Sequence, residues 1–183
     1  MINTDYDIGA IEILLDKSCI SERYYPLIAH KEQILSGLRA LGCGTKSDAS
    51  KLSDEVLSHI GLDGAEIRLF RRFLSMYDPD PHKFKEIESL CHCPEERAAY
   101  FELYHLPGVK AVRASLYYLS GLRSLKDFAD AEENGIIEKV EKAIADNHLS
   151  CIAPLPKEVR THIAVAKAFT NIFDREKTAS SSD

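Results

Sequence analysis

Residues 105–127 read HLPGVKAVRASLYYLSGLRSLKD, and the order of breakers and apolar positions in that stretch decides the fold class. Pro107-Gly108 ends one helix, because proline removes a backbone donor and glycine enters conformations closed to other residues. The pattern from there to about Ser120 is helical, and Gly121 is a natural C-cap. Ser124 can cap the following helix, with Asp127 bonding back to the cap. The stretch thus reads as helix, tight turn, helix, glycine stop and a new helix.

The same grammar extends in both directions. Toward the C-terminus, helical pattern runs from Leu125 to Asn147, with a break expected at Asn134-Gly135. Pro154 and Pro156 open a last helix carrying Val159, Ile163, Ala166, Phe169, Ile172 and Phe173 on one face, a stripe wide enough to close a core. Toward the N-terminus, helices are expected from about Glu95 to His105 and from Phe84 to Leu90, joined by the turn Cys91-His92-Cys93-Pro94. Asp78-Pro79-Asp80-Pro81 is the clearest breaker in the chain. Before it, Ile67, Phe70, Phe73, Leu74 and Tyr77 form a stripe with Arg68, Arg71 and Arg72 on the other side. A short helix is expected over Leu52 to Ile60 and a longer one over Tyr24 to Leu41, with Leu27, Ile34, Leu38 and Leu41 inward and Pro26 near its start. Ile8, Ile11 and Leu15 make a first stripe. Alternating β-branched runs are missing, so the class is all-α, a compact bundle of short helices. The divisions expected are an N-terminal helical half over 1–78, a C-terminal half over 82–175 and a flexible tail over 176–183.

Composition narrows the function classes. With 183 residues and 45% hydrophobic content the chain can bury a core. Its net charge of −6 repels polyanions on average, so any nucleic-acid site must be a local exception. Neither a secretory leader nor a membrane-length apolar run is visible, which points to a cytoplasmic protein with no membrane partner. Five scattered cysteines, Cys19, Cys43, Cys91, Cys93 and Cys151, read as free thiols.

Two echoes link the halves. Gly42, Thr45 and Asp48 repeat the spacing of Gly121, Ser124 and Asp127, and Ile60-Gly61-Leu62 matches Pro107-Gly108-Val109. Common helix punctuation and internal duplication both account for this, and the second echo favours duplication, with the N-terminal half as a degenerate copy.

Leu106-Pro107-Gly108-Val109, the small Ala114 in the helix that follows and Gly121-x-x-Ser124-Leu125-x-Asp127 together resemble a helix-hairpin-helix unit. Pro156-x-x-Val159-x-x-x-Ile163-x-x-Ala166-Lys167 is similar to the closing helix of uncharacterised bacterial domains with tandem hairpins. The resemblance covers about residues 97–173 and implies one or two such units. It also implies a phosphate site at the backbone of Gly108, Val109 and Lys110, with Lys110 and Arg113 adding charge. The sequence departs from that family where Lys110 replaces the second hairpin glycine. Between Phe101 and Lys126 four bases face one acid, whereas from Asp127 to Asp146 seven acids face two bases. A nucleic acid would have to avoid the second segment.

Other constellations are weaker. Arg68, Arg71 and Arg72 can meet phosphates or an acidic partner, but a charge cluster opposite an apolar stripe is usually a solvated face. Tyr117 and Tyr118 can stack on bases, yet tyrosines on a packed helix more often belong to the core. Cys91-His92-Cys93 with His82 lacks the second ligand pair of structural zinc, so no metal is expected. No nucleophile elbow, phosphate loop or dinucleotide fingerprint is present, and His148 and His162 read as surface or half-buried groups. No catalytic residues or cofactor are expected. The sequence leads to a non-enzymatic helical adaptor for an unknown protein partner, with sequence-independent DNA or RNA binding through the hairpin as the alternative.

Overall fold

The computed structural model describes the backbone of residues 5–77 and 81–180, and the side chains of these except 77, 81, 83, 84 and 173–180. The described residues form twelve α-helices and no β-strand, with an isolated bridge between Asp7 and Thr45. The all-α class follows. The chain divides into two units, Asn3–Asp78 and Pro79–Asp183. Part of the 78–81 breaker lies outside the described residues, as do the side chains of Tyr77 and Phe173.

The first unit contains α1 (Ile8–Leu14), α2 (Tyr25–Ala29), α3 (Lys31–Ala40), α4 (Lys46–Lys51), α5 (Asp54–His59) and α6 (Gly64–Leu74). Asp7 caps α1 by accepting from the Ala10 amide at 2.7 Å. Ile11, Leu14, Leu27, Ile34, Leu38, Leu57 and Phe70 make the fully buried centre, each removing enough apolar surface from water to contribute about 1.5–3 kcal/mol. One expected helix is divided. The stretch 24–41 breaks at His30, whose ring is drawn toward Gln33 and, at 3.1 Å, Glu66 of α6. The helix expected over 52–60 is α5, which Ser53 caps, and α4 before it, set off by extended Leu52, was not expected. Leu41, expected inward, lies just past the end of α3 and is exposed.

The second unit contains α7 (Pro81–Leu90), α8 (Pro94–Leu103), α9 (Ala111–Leu119), α10 (Leu125–Ala129), α11 (Glu133–Asp146) and α12 (Pro156–Ser180). Cys93 caps α8, its Sγ accepting from the Glu96 amide at 3.4 Å. The break after α10 falls at 130–132, not at Asn134-Gly135, which sit in the first turn of α11; a glycine in a helix's first turn sacrifices little. The helical backbone of α12 continues through Ser180, into the segment assigned to the tail. α12 packs mainly on α10 and α11, burying Val159, His162, Val165, Ala166, Phe169 and Ile172. That face differs from the expected one by admitting His162 while Ile163 stays only partly covered.

The matched glycine stops share their backbone geometry. Gly42 and Gly121 have φ of +71° and +79°, and the residue after each bonds back, Cys43 to Leu38 at 3.0 Å and Leu122 to Tyr117 at 2.9 Å. Thr45 with Asp48 and Ser124 with Asp127 then form complete capping boxes. In α8, Glu102 adds a tertiary tie, accepting from the Leu125 amide at 2.8 Å.

Candidate functional site

The hairpin between α8 and α9 is anchored by two buried apolar residues, Leu106 and Val109, on either side of its turn. Their burial forces the residue between Pro107 and Val109 outward, and Gly108 takes φ +76° there, exposed and with open space around it. The Val109 amide closes the turn onto the Leu106 carbonyl at 3.2 Å. Lys110 is the N-cap of α9, with extended backbone and no side-chain cap bond, and it is exposed. Ala114 is the first residue to bond back along the helix, to the Lys110 carbonyl at 2.8 Å. The amides of Ala111, Val112 and Arg113 therefore precede the first intrahelical donor. Of the three consecutive residues Gly108, Val109 and Lys110, the first and last are exposed and Val109 is buried.

Arg113 turns elsewhere. Its Nε lies 3.3 Å from Glu158 of α12, its Nη1 donates to the Ile152 carbonyl at 3.0 Å, and its guanidinium sits 6.0 Å from the Tyr117 ring centre. Half-buried and paired, it joins the loop before α12 to α9. Arg71 is likewise committed to structure, clasping Asp54 and the carbonyls of Ser50 and Leu52 at the α4–α5 joint. Arg68 and Arg72 are exposed on α6, in the other unit from the hairpin. Tyr117 is fully buried, while Tyr118 lies under Arg123, 4.8 Å from its ring centre.

Two features behind and beside the hairpin were not read from the sequence. The first is His162, 1% exposed, which the sequence placed at the surface or half-buried. Its Nε2 lies 2.9 Å from the Pro107 carbonyl and its Nδ1 2.9 Å from the Tyr117 hydroxyl. A carbonyl only accepts, so Nε2 carries the proton, and the Tyr117 hydroxyl donates to Nδ1. Burial holds the imidazole below the ordinary value of 6.5, the Pro107 contact opposing that shift. Its place on α12, three residues after Val159 and seven before Phe169, was the available signal. The second is a group of exposed apolar side chains: Val112 at 70%, Ile152 at 80% and Leu155 at 68%. They flank the Arg113–Glu158 pair in sequence, from α9 on one side and from the loop entering α12 on the other. No sequence signal marks this, because periodicity cannot say which end of a helix its neighbours leave uncovered.

Family models, characterised proteins and solved structures offer no match to this chain. Among the described residues, no group of three or more His, Cys, Asp or Glu side chains is arranged to hold a metal ion. The five cysteines are free, Cys19 and Cys43 buried. No helix among the described residues is long and apolar enough to cross a membrane. Around the hairpin stand exposed apolar side chains, the three amides ahead of the first intrahelical donor, and exposed Lys110.

Proposed function

We propose that the chain is a non-enzymatic helical adaptor, and that its second unit engages an apolar segment of a protein partner beside the 106–113 hairpin. The observation that carries this reading is the exposure of Val112, Ile152 and Leu155 around one ion pair. Single exposed apolar residues need no explanation, but a group of large ones rimmed by polar residues marks interaction surfaces. Covering each would gain roughly 1.5–3 kcal/mol, enough for three side chains to anchor an interface. Arg113 supports the reading, since its charge is spent on holding the loop that presents Ile152.

The test is parallel capture from the host's own lysate with the wild-type chain and with the triple variant Val112→Ser, Ile152→Ser, Leu155→Ser. A protein retained by the wild type, released by the variant and rebinding purified wild type supports the adaptor. Identical capture by both would reject this surface.

A second reading, sequence-independent DNA or RNA binding, is favoured by the uncapped start of α9 with exposed Lys110 beside open Gly108. Anisotropy of labelled nucleic acids at about 50 and 200 mM salt tests it, because phosphate contacts weaken steeply across that range. Lys110→Glu is the informative variant. Arg113→Glu would set a second carboxylate against Glu158 and disturb the fold.

A further inference from the structure

We propose that His162 is an acid-sensitive latch that keeps the 106–113 hairpin and the flanking apolar surface in place at neutral pH and lets them loosen on protonation. As regulation of that surface, the inference rests on the adaptor reading. The structural step stands on the geometry of one buried ring.

His162 is bonded at both nitrogens to elements other than its own helix, the hairpin through Pro107 and α9 through Tyr117. The ring of Tyr117 stands edge-on to the imidazole at 5.8 Å, and that of Phe128 from α10 at 6.1 Å. The charged groups nearby are Glu158 on α12 and Arg113 on α9, and they neutralise one another at 3.3 Å. α11 meets α12 through Glu133, which is itself paired with Arg160 at 3.1 Å. Glu158, the carboxylate that favours a charged ring, already has Arg113 as its partner.

Neutral His162 satisfies both of its partners. Adding a proton at Nδ1 sets that N–H against the Tyr117 hydroxyl, which must then accept and loses the bond its own O–H made to the ring. A cation is also left in the interior, where Glu158 is already engaged by Arg113. Both penalties disappear if the first turns of α12 part from α9 and α10 and the ring reaches water. That movement releases the Pro107 carbonyl, and it strains the Arg113 contacts to Glu158 and Ile152, so Val112, Ile152 and Leu155 lose their common frame. The direction of linkage agrees: the unfolded or opened chain takes the proton more readily than the closed one, so the closed form weakens as pH falls below 6.5.

The experiment is solution NMR of the full chain from about pH 7.5 to about pH 5, across the titration range of histidine, following backbone amides and the histidine ring signals. Wild type and His162→Gln are compared, since glutamine can still donate and accept but does not titrate. The expected result is that amides of 106–117 and 152–162 change along one curve coinciding with the His162 ring, with a midpoint below 6.5, and are flat in His162→Gln. Hydrogen-exchange protection of Val109 and Ala114, corrected for intrinsic rates, falls by about tenfold or more in wild type as the local opening becomes cheaper. Amides unchanged down to the lowest pH, or changing equally in the glutamine variant, would overturn the latch. Should His162→Gln fail to fold, the wild-type curves decide alone: ring and amide midpoints that coincide support the proposal, and midpoints that diverge sink it. No partner is present in this measurement, so a flat titration removes the latch while leaving the apolar surface to the capture experiment, and a null capture removes the surface while leaving the latch.

Discussion

The glycine turns at Gly61 and Gly108 share a backbone conformation and part company at the N-cap that follows, aspartate in one and lysine in the other. In each, a glycine at positive φ is followed by a buried aliphatic residue and then by the N-cap of the next helix: Gly61, Leu62, Asp63 before α6, and Gly108, Val109, Lys110 before α9. Asp63 accepts from the amides of Ala65 and Glu66 at 2.7 and 2.8 Å, Glu66 bonds back to the Asp63 amide at 2.9 Å, and Glu66 also meets His30. A Cβ on Gly61 would run into Gln33. That hairpin is finished from within. At the second, lysine replaces the acid, no side chain closes the helix start, and nothing lies within 4 Å of where a Cβ on Gly108 would be. Its support comes from behind, through His162. One turn geometry therefore serves internal closure or outward display according to the side chain at the N-cap.

The strongest way to break this contrast is to remove the outward hairpin's support. His162→Ala leaves a cavity and strands the Pro107 carbonyl and the Tyr117 hydroxyl, so chemical denaturation should show a loss of about 3 kcal/mol. A loss under about 1 kcal/mol would mean that the hairpin holds itself. Next in size, one substitution at both glycines separates them. Gly61→Ala should cost about 2 kcal/mol, combining the positive φ with the displacement of Gln33, whereas Gly108→Ala should cost about 1 kcal/mol from φ alone. Equal costs would erase the distinction between packed and open turns.

Acid should tell the hairpins apart in order of pH. The folded chain holds His162 below its ordinary value, so stability falls as pH drops below 6.5, by at most about 1.4 kcal/mol per pH unit for one proton. Asp63 is also held below its ordinary value, by the Glu66 and Ala65 amides, but for a carboxylate the consequence is opposite: its contribution is fully present above 3.8 and lost as pH falls through the folded value. Reporters in the second unit should therefore respond first. Smaller again, Lys110→Asp would convert the outward hairpin toward the inward kind. Supplying the missing cap and an acid at the positive helix end should raise stability by about 0.5–1 kcal/mol and remove any salt-dependent binding of nucleic acid. Least of all, Val112→Ser or Ile152→Ser should change stability by no more than about 0.5 kcal/mol, because these side chains are already in water. A larger loss would show that they pack internally and that the surface is not free.

Much of this was legible in residue order. The Gly42 and Gly121 stops, the Thr45–Asp48 and Ser124–Asp127 boxes and the position of the 106–110 turn all depend on contacts within a few residues, and each was placed from the sequence. Helix divisions were less legible where the cause was remote. The break at His30 coincides with its contact to Glu66, 36 residues on, and the periodicity of 24–41 passes through that break undisturbed. Arg113 shows the same limit at the candidate site. Its type and spacing suit a phosphate, and only the approach of Glu158 and the Ile152 carbonyl assigns its charge elsewhere.

Residue order was sufficient for the all-α class, for the glycine stops with their capping boxes and for most of the apolar helix faces, because hydrophobic period, glycine conformation and capping act over a single turn of chain. The folded molecule was needed to establish that His162 lies inside with a defined tautomer, that Arg113 is spent, and that Val112, Ile152 and Leu155 are left uncovered. Burial, desolvation and pairing of charges depend on which distant segment arrives, and no local pattern encodes that arrival.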